Sequence, residues 1–260
     1  MAISAKEVQE LRKSTGAGMM DAKKALTEAD GDFDAAVQIL REKGLAKAAS
    51  RTDRDNSEGL ITVASSDSGA SMVHLKSETD FAAKSDDFGK LAQELAELVL
   101  AKGPDAVAEK NDAIEDLKLT VKENIDFGPV VRYEAGPDSV IDAYIHGSEQ
   151  KLGVLIEATG VDAEVLHEVA MHVAFAKPAY LSRDEVPADE VEKEKAALLE
   201  ITKNEGKPEA AWDKIVEGRL NSWLGERVLL EQGLFGDKET VSAKIGDGTI
   251  TRFALAQVGG

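Results

Sequence analysis

Over roughly the first 45 residues, apolar positions recur at helical spacing; beyond residue 58 they fall into short runs bounded by turn residues. Ser4-Ala5-Lys6-Glu7 reads as a capping box, in which the Ser4 hydroxyl accepts from the Glu7 amide and the Glu7 carboxylate reaches back. Val8 and Leu11 supply the first apolar stripe, and Thr15-Gly16-Ala17-Gly18 interrupts it. A second helix is predicted from about Met19 to Ala29, broken by Asp30-Gly31. Asp32 caps a third, whose Phe33, Ala36, Val37 and Leu40 share one face. Gly44 is expected to end it in a left-handed conformation, with Lys43 in the last turn. The polar stretch Ser50 to Ser57 reads as a linker.

The period then changes. Leu60–Ala64 and Met72–Lys76 are predicted strands around the hairpin signal Ser65-Ser66-Asp67-Ser68-Gly69. The loop Ser77 to Phe81 leads to a helix capped by Ser85, with Phe88, Leu91, Leu95 and Leu98 on one face and Gly103-Pro104 as its stop. A mixed stretch to Ile125 reads as helical. Strands follow at Val130–Glu134, Val140–His146 and Leu152–Ala158, then a helix capped by Asp162 and carrying Val165, Val169, His172 and Val173. Hairpin, turn and amphipathic helix thus occur at 59–101 and again at 140–176, a weak internal repeat. Pro187 to Glu205 and Pro208 to Gly225 form a helix pair broken at Gly206, and a last strand spans Thr249–Gln257. The expectation is an α+β protein: a three-helix module at 1–54 and two related antiparallel sheet-plus-helix subdomains at 55–139 and 140–260. The second carries an inserted helical hairpin at about 187–225.

Composition narrows the function. The 260 residues carry a formal net charge of −18, and charge is unevenly spread: residues 1–54 hold ten basic and nine acidic side chains, the remainder 21 and 40. Affinity for a polyanion comes mainly from Lys and Arg neutralising phosphates, so bulk nucleic-acid binding is disfavoured. The absence of cysteine excludes disulfides, thiolate catalysis and iron–sulfur ligation. No apolar run is long enough for a signal peptide or a spanning helix, and a cytoplasmic protein is expected.

The search for a reactive centre finds near misses. His167 and His172 are five apart, about 140° round a helix, and cannot share a metal there. Asp30, Asp32 and Asp34 begin like a calcium loop, but the glycine position is Ala35 and the bidentate glutamate position is Arg41. Gly16-Ala17-Gly18 lacks a preceding strand, and no phosphate-binding loop or nucleophile elbow occurs. The expectation is neither metal nor cofactor, and no covalent chemistry.

Two segments stand out. Adjacent Met19 and Met20 must point in different directions, so one can be core and the other an adaptable contact, beside a positive patch of Arg12, Lys23 and Lys24. A solvated face over a loosely filled core is the plainer reading. The second segment is Thr79-Asp80-Phe81-Ala82-Ala83-Lys84. Either Phe81 plugs the local core while Asp80 caps the next helix, or Phe81 is a wedge for a partner and Asp80 a carboxylate that disturbs a nearby polar site.

The chain resembles the bacterial elongation factor Ts family. Leu-Arg, Thr-Gly-Ala-Gly-Met-Met-Asp and Lys-Lys-Ala-Leu stand at Leu11 to Leu26, and Thr79-Asp80-Phe81 matches a second motif. Further matches are Tyr144-Ile145-His146-Gly147 with Leu152-Gly153-Val154-Leu155, Glu205-Gly206-Lys207-Pro208, Lys214 to Arg219, and Leu229-Leu230-Glu231-Gln232. The resemblance implies guanine nucleotide exchange on elongation factor Tu in translation elongation. By position match, Arg12, Met19, Met20 and Lys23 dock on the partner's nucleotide-binding domain. Thr79, Asp80 and Phe81 act near its magnesium site, and His146 contacts its third domain, with no direct nucleic-acid or membrane contact. Departures fall at Gly233-Leu234-Phe235, where the family commonly has Pro-Phe, at Gly128-Pro129, where it often has arginines, and at Lys122, where it often has glycine. A passive interaction scaffold is the alternative, and an enzyme a distant third.

Overall fold

A computed structural model describes residues 3–49 and 53–259, with the side chains of residues 45–49 left aside. The predicted linker therefore lies partly outside the described residues, at positions 50–52.

Helices α1 (Ala5–Thr15), α2 (Met19–Glu28) and α3 (Phe33–Ala49) form the N-terminal module. The capping box is present: the Glu7 amide donates to Ser4 Oγ at 3.2 Å and the Ser4 amide to Glu7 Oε2 at 2.7 Å. Val8, Leu11, Ala22, Ala25, Leu26 and Ala36 make a small buried core. One expectation fails here, because α3 runs on through Gly44 to Ala49. A Cβ at position 44 would fall 2.4 Å from Leu119 Cδ2, so the missing side chain serves close helix packing.

Strands β1 (Glu58–Ser66) and β2 (Gly69–Ser77) pair antiparallel with Ser66 opposite Gly69, which leaves a two-residue turn. After them come the single turn α4 (Asp80–Ala83), α5 (Asp86–Lys102), a 3-10 stretch Pro104–Lys110, α6 (Asn111–Val121) and β3 (Asp126–Glu134), which pairs with β2. Helix α5 buries Phe88, Leu91, Ala92, Leu95, Ala96 and Val99 against the sheet, with Val99 rather than Leu98 closing the stripe. Buried hydroxyls stitch strand to helix: Thr62 Oγ1 donates to the Ala92 carbonyl at 2.8 Å and Ser71 Oγ to that of Ala96 at 2.6 Å. Strand β3 begins before the expected Val130 and passes through Gly128-Pro129. An edge strand tolerates proline, and the register shifts there, between Val73 and Leu75 of β2.

The second half repeats this plan with β4 (Ser139–Ile145), β5 (Leu152–Thr159) and α7 (Ala163–Ala176). It continues through α8 (Ala188–Asn204), α9 (Trp212–Gly225) and α10 (Val241–Ile245) to β6 (Thr249–Gln257), which closes the sheet order β4-β5-β6. In both sheets the central strand follows the first edge strand and the third returns after helices. Helix α7 covers the outer face of the second sheet through Leu166, Val169, Ala170 and Val173. The inner faces of the two sheets meet through Ile61, Ala70, Met72 and Tyr133 on one side and Leu155 and Ala256 on the other. The layers run helix, sheet, sheet, helix. Helices α8 and α9 pair as an antiparallel hairpin, footed on Val186, Leu224 and Val228 and tied near its tip by Arg219 on the Glu205 carboxylate at 2.8 Å.

Candidate partner-docking site

Strand β2 ends at Ser77, whose Oγ donates to the Thr79 carbonyl at 2.9 Å, and Thr79 starts the next turn. The Thr79 hydroxyl accepts from the Ala82 amide at 3.3 Å, which makes Thr79, not Asp80, the N-cap of α4. Only Ala82 and Ala83 of that turn face the core, leaving Phe81 83% exposed. Phe81 is not a plug. Asp80 is half-buried, and Lys84 Nζ donates to its Oδ2 at 2.8 Å. That hydrogen bond holds the Asp80 carboxyl below, and the Lys84 ammonium above, the ordinary value.

Helix α4 borders an open cleft of about 410 Å³ shared with Ser148, Glu149 and Gln150 of the β4–β5 turn. His146 stands exposed at the start of that turn, its Nδ1 2.9 Å from the Tyr144 hydroxyl. Tyr144 also meets the edge of His167 at 5.6 Å between ring centroids, and His167 Nδ1 lies 3.0 Å from Asp142 Oδ2. The cleft places α4 beside the turn that carries His146.

On the N-terminal module, Met19 and Met20 are 50% and 65% exposed, so neither fills the core. Alanines 22 and 25 with Leu26 do so instead. Arg12, Lys23 and Lys24 are exposed as well, and none of the three has an ion-pair partner among the described residues. Arg12 lies in the last turn of α1, and Met19 and Met20 begin α2 with Lys23 one turn on, so the module's sequence-predicted residues flank the α1–α2 connection.

His167 and His172 take opposite sides of α7, as their spacing requires. His167 is exposed, whereas His172 is buried, donating from Nε2 to Gln232 at 3.0 Å and accepting on Nδ1 from the Phe235 amide at 3.0 Å. Burial pushes the His172 imidazole down.

Sequence reasoning passes over Glu123. Its carboxylate accepts from the Glu78 and Thr79 amides and from the Thr79 hydroxyl, at 3.1, 3.0 and 2.6 Å. The only signal is its place in Lys122-Glu123-Asn124-Ile125, where Lys122 is the residue that departs from the family pattern.

An exposed aromatic on a locked turn, with exposed methionines and unpaired cations on a separate helical module, suits protein docking better than turnover of a small molecule. The family model described as Elongation factor TS matches residues 78–260. Proteins named Elongation factor Ts from Cutibacterium acnes and Alkalilimnicola ehrlichii are 45% and 41% identical, covering 93% and 100% of this chain and 93% of each relative. The chain belongs to the elongation factor Ts family. A further member, from Lactiplantibacillus plantarum, is 40% identical over 99% of the chain and 92% of its own length. Membership makes the protein a translation elongation factor, and the mixed helix-and-sheet architecture agrees with that family's fold. Among the described residues no helix is long and apolar enough to cross a membrane.

Proposed function

We propose that the factor promotes release of guanine nucleotide from elongation factor Tu by pressing Phe81 and Asp80 against the partner near its magnesium and phosphate site. In this reading Arg12, Met19, Met20 and Lys23 hold the partner's nucleotide-binding domain, and His146 meets its third domain. Mg²⁺ bridges nucleotide phosphates and neutralises their charge, so disturbing its ligands weakens nucleotide binding. Nucleotide and factor then bind with negative coupling, and linkage makes that reciprocal: excess GTP loosens the factor in turn. No bond is made or broken in the factor.

The observation that carries this reading is the exposure of Phe81 on a turn whose backbone is held by hydrogen bonds. Its test follows fluorescent GDP leaving purified elongation factor Tu. Phe81→Ala is expected to lower the stimulated rate by about tenfold or more, a barrier change of about 1.4 kcal/mol. Thermal unfolding should stay within about 0.5 kcal/mol, since an exposed ring contributes little to the core. An undiminished rate at normal stability rejects the wedge. If the unaltered protein leaves release unchanged, it is a passive scaffold.

A further inference from the structure

A four-residue helix has almost no stability of its own, because nucleation fixes several dihedrals for one or two hydrogen bonds. Yet Phe81 and Asp80 must meet a partner in a defined direction, so something outside α4 holds them. The structure supplies one carboxylate for that. The Glu123 carboxylate accepts from the Glu78 and Thr79 amides on Oε2 and from the Thr79 hydroxyl on Oε1. It thereby satisfies backbone donors just ahead of α4 and orients the same hydroxyl that caps it. The grip is reciprocal: Glu78 Oε1 accepts from the Asn124 amide at 2.7 Å. Buried Asn124 and Ile125 anchor this segment in the core. Lys122, in a left-handed conformation at the end of α6, turns the chain so that Glu123 faces the loop.

The lock extends to the segment that follows the N-terminal module. The Arg54 guanidinium reaches Glu78 Oε2 at 3.4 Å, and Asn124 Nδ2 donates to the Arg54 carbonyl at 2.9 Å. Two carboxylates, Glu78 and Glu123, therefore connect the end of β2, the end of α6 and residue 54.

We infer that Glu123 is a positioning residue for exchange: it touches no partner atom but fixes Thr79 so that Phe81 and Asp80 are presented in one orientation. This rests on the wedge reading above. Preorganisation of this kind changes the rate reached at saturation more than the concentration needed to saturate, because the docking surfaces at Met19–Met20 and His146 are untouched.

The test titrates each variant of the full chain against elongation factor Tu loaded with fluorescent GDP, reading both the maximal release rate and the half-saturating concentration. Glu123→Ala is expected to lower the maximal rate about fivefold while moving half-saturation less than about twofold. In an Asp80→Ala/Phe81→Ala background the same change should have no further effect, since there is nothing left to aim. Glu123→Gln keeps the size and one acceptor oxygen, so its maximal rate should fall between those of the unaltered chain and the Glu123→Ala variant. It also carries the comparison if the alanine variant does not fold. An unchanged maximal rate in Glu123→Ala, with Phe81→Ala still defective, overturns the positioning role and leaves the wedge intact. Equal losses in both backgrounds overturn it too, by marking a general structural effect. If Phe81→Ala itself releases nucleotide normally, the wedge reading is what fails.

Discussion

His74 lies buried between Gly59 and Gly128, and its Nε2 has no hydrogen-bond partner among the described residues. Burial, with Lys76 as a lesser repulsive neighbour, pushes this imidazole down from 6.5 to about 4. Between those two values the unfolded chain binds the proton and the folded one does not, so stability rises with pH across that window and is lost as pH falls. At about 1.36 kcal/mol per pKa unit, the loss between pH 7 and 4.5 is roughly 2–3 kcal/mol. His74→Phe keeps a ring against Gly128 and removes the proton; urea unfolding at the two pH values should show a loss smaller by that amount. Lys122 offers an opposite test, because its φ of 63° is costly for a residue with a Cβ. Lys122→Gly is expected to raise stability by about 0.5–1 kcal/mol, read as an increase in the denaturation midpoint. The resemblance marks this position as one where the family often has glycine, and the left-handed turn supplies the reason.

Among the elements, those with one buried face are legible in the sequence. Periodicity together with local cap, stop and turn signals places helix α5 and the β1–β2 hairpin, and β6 matches its expected span at Thr249–Gln257. Elements shaped by a neighbour are harder to read. The end of α3 depends on Leu119, and the start of β3 depends on that strand's edge position, neither of which is written locally. The sequence leaves the exposure of Phe81 undecided for the same reason, since four residues are too few to establish a face. Gly153 shows what a neighbour demands: a Cβ there would sit 2.6 Å from Ile61 Cγ2 and 3.1 Å from both Ile145 Cδ1 and Met72 Sδ. Gly153→Val is expected to cost about 1–3 kcal/mol through overpacking, measurable as a fall in Tm.

At the scale of the molecule, charge and shape separate two tasks. In a chain of net charge −18, Arg12, Lys23 and Lys24 stand exposed on the helical module, without an ion-pair partner among the described residues, while the exposed ring stands on α4. Arg12→Glu should weaken association with elongation factor Tu about tenfold and leave the saturated release rate unchanged, the reverse of the pattern expected for Phe81→Ala. The penalty should shrink as salt is raised from about 50 to 300 mM, because exposed charges are screened over about a Debye length. Titrations at the two salt concentrations check both statements. The apolar seam between the sheets has a mechanical meaning for this division of labour. Close-packed interiors are stiff, so Phe81 on α4 beside the first sheet and His146 at the β4–β5 turn of the second are held at a fixed spacing, like the jaws of a caliper set to one gauge. Under the proposed docking, strain raised in the partner at one jaw would be borne by the other, rather than relaxed by sliding within the factor itself.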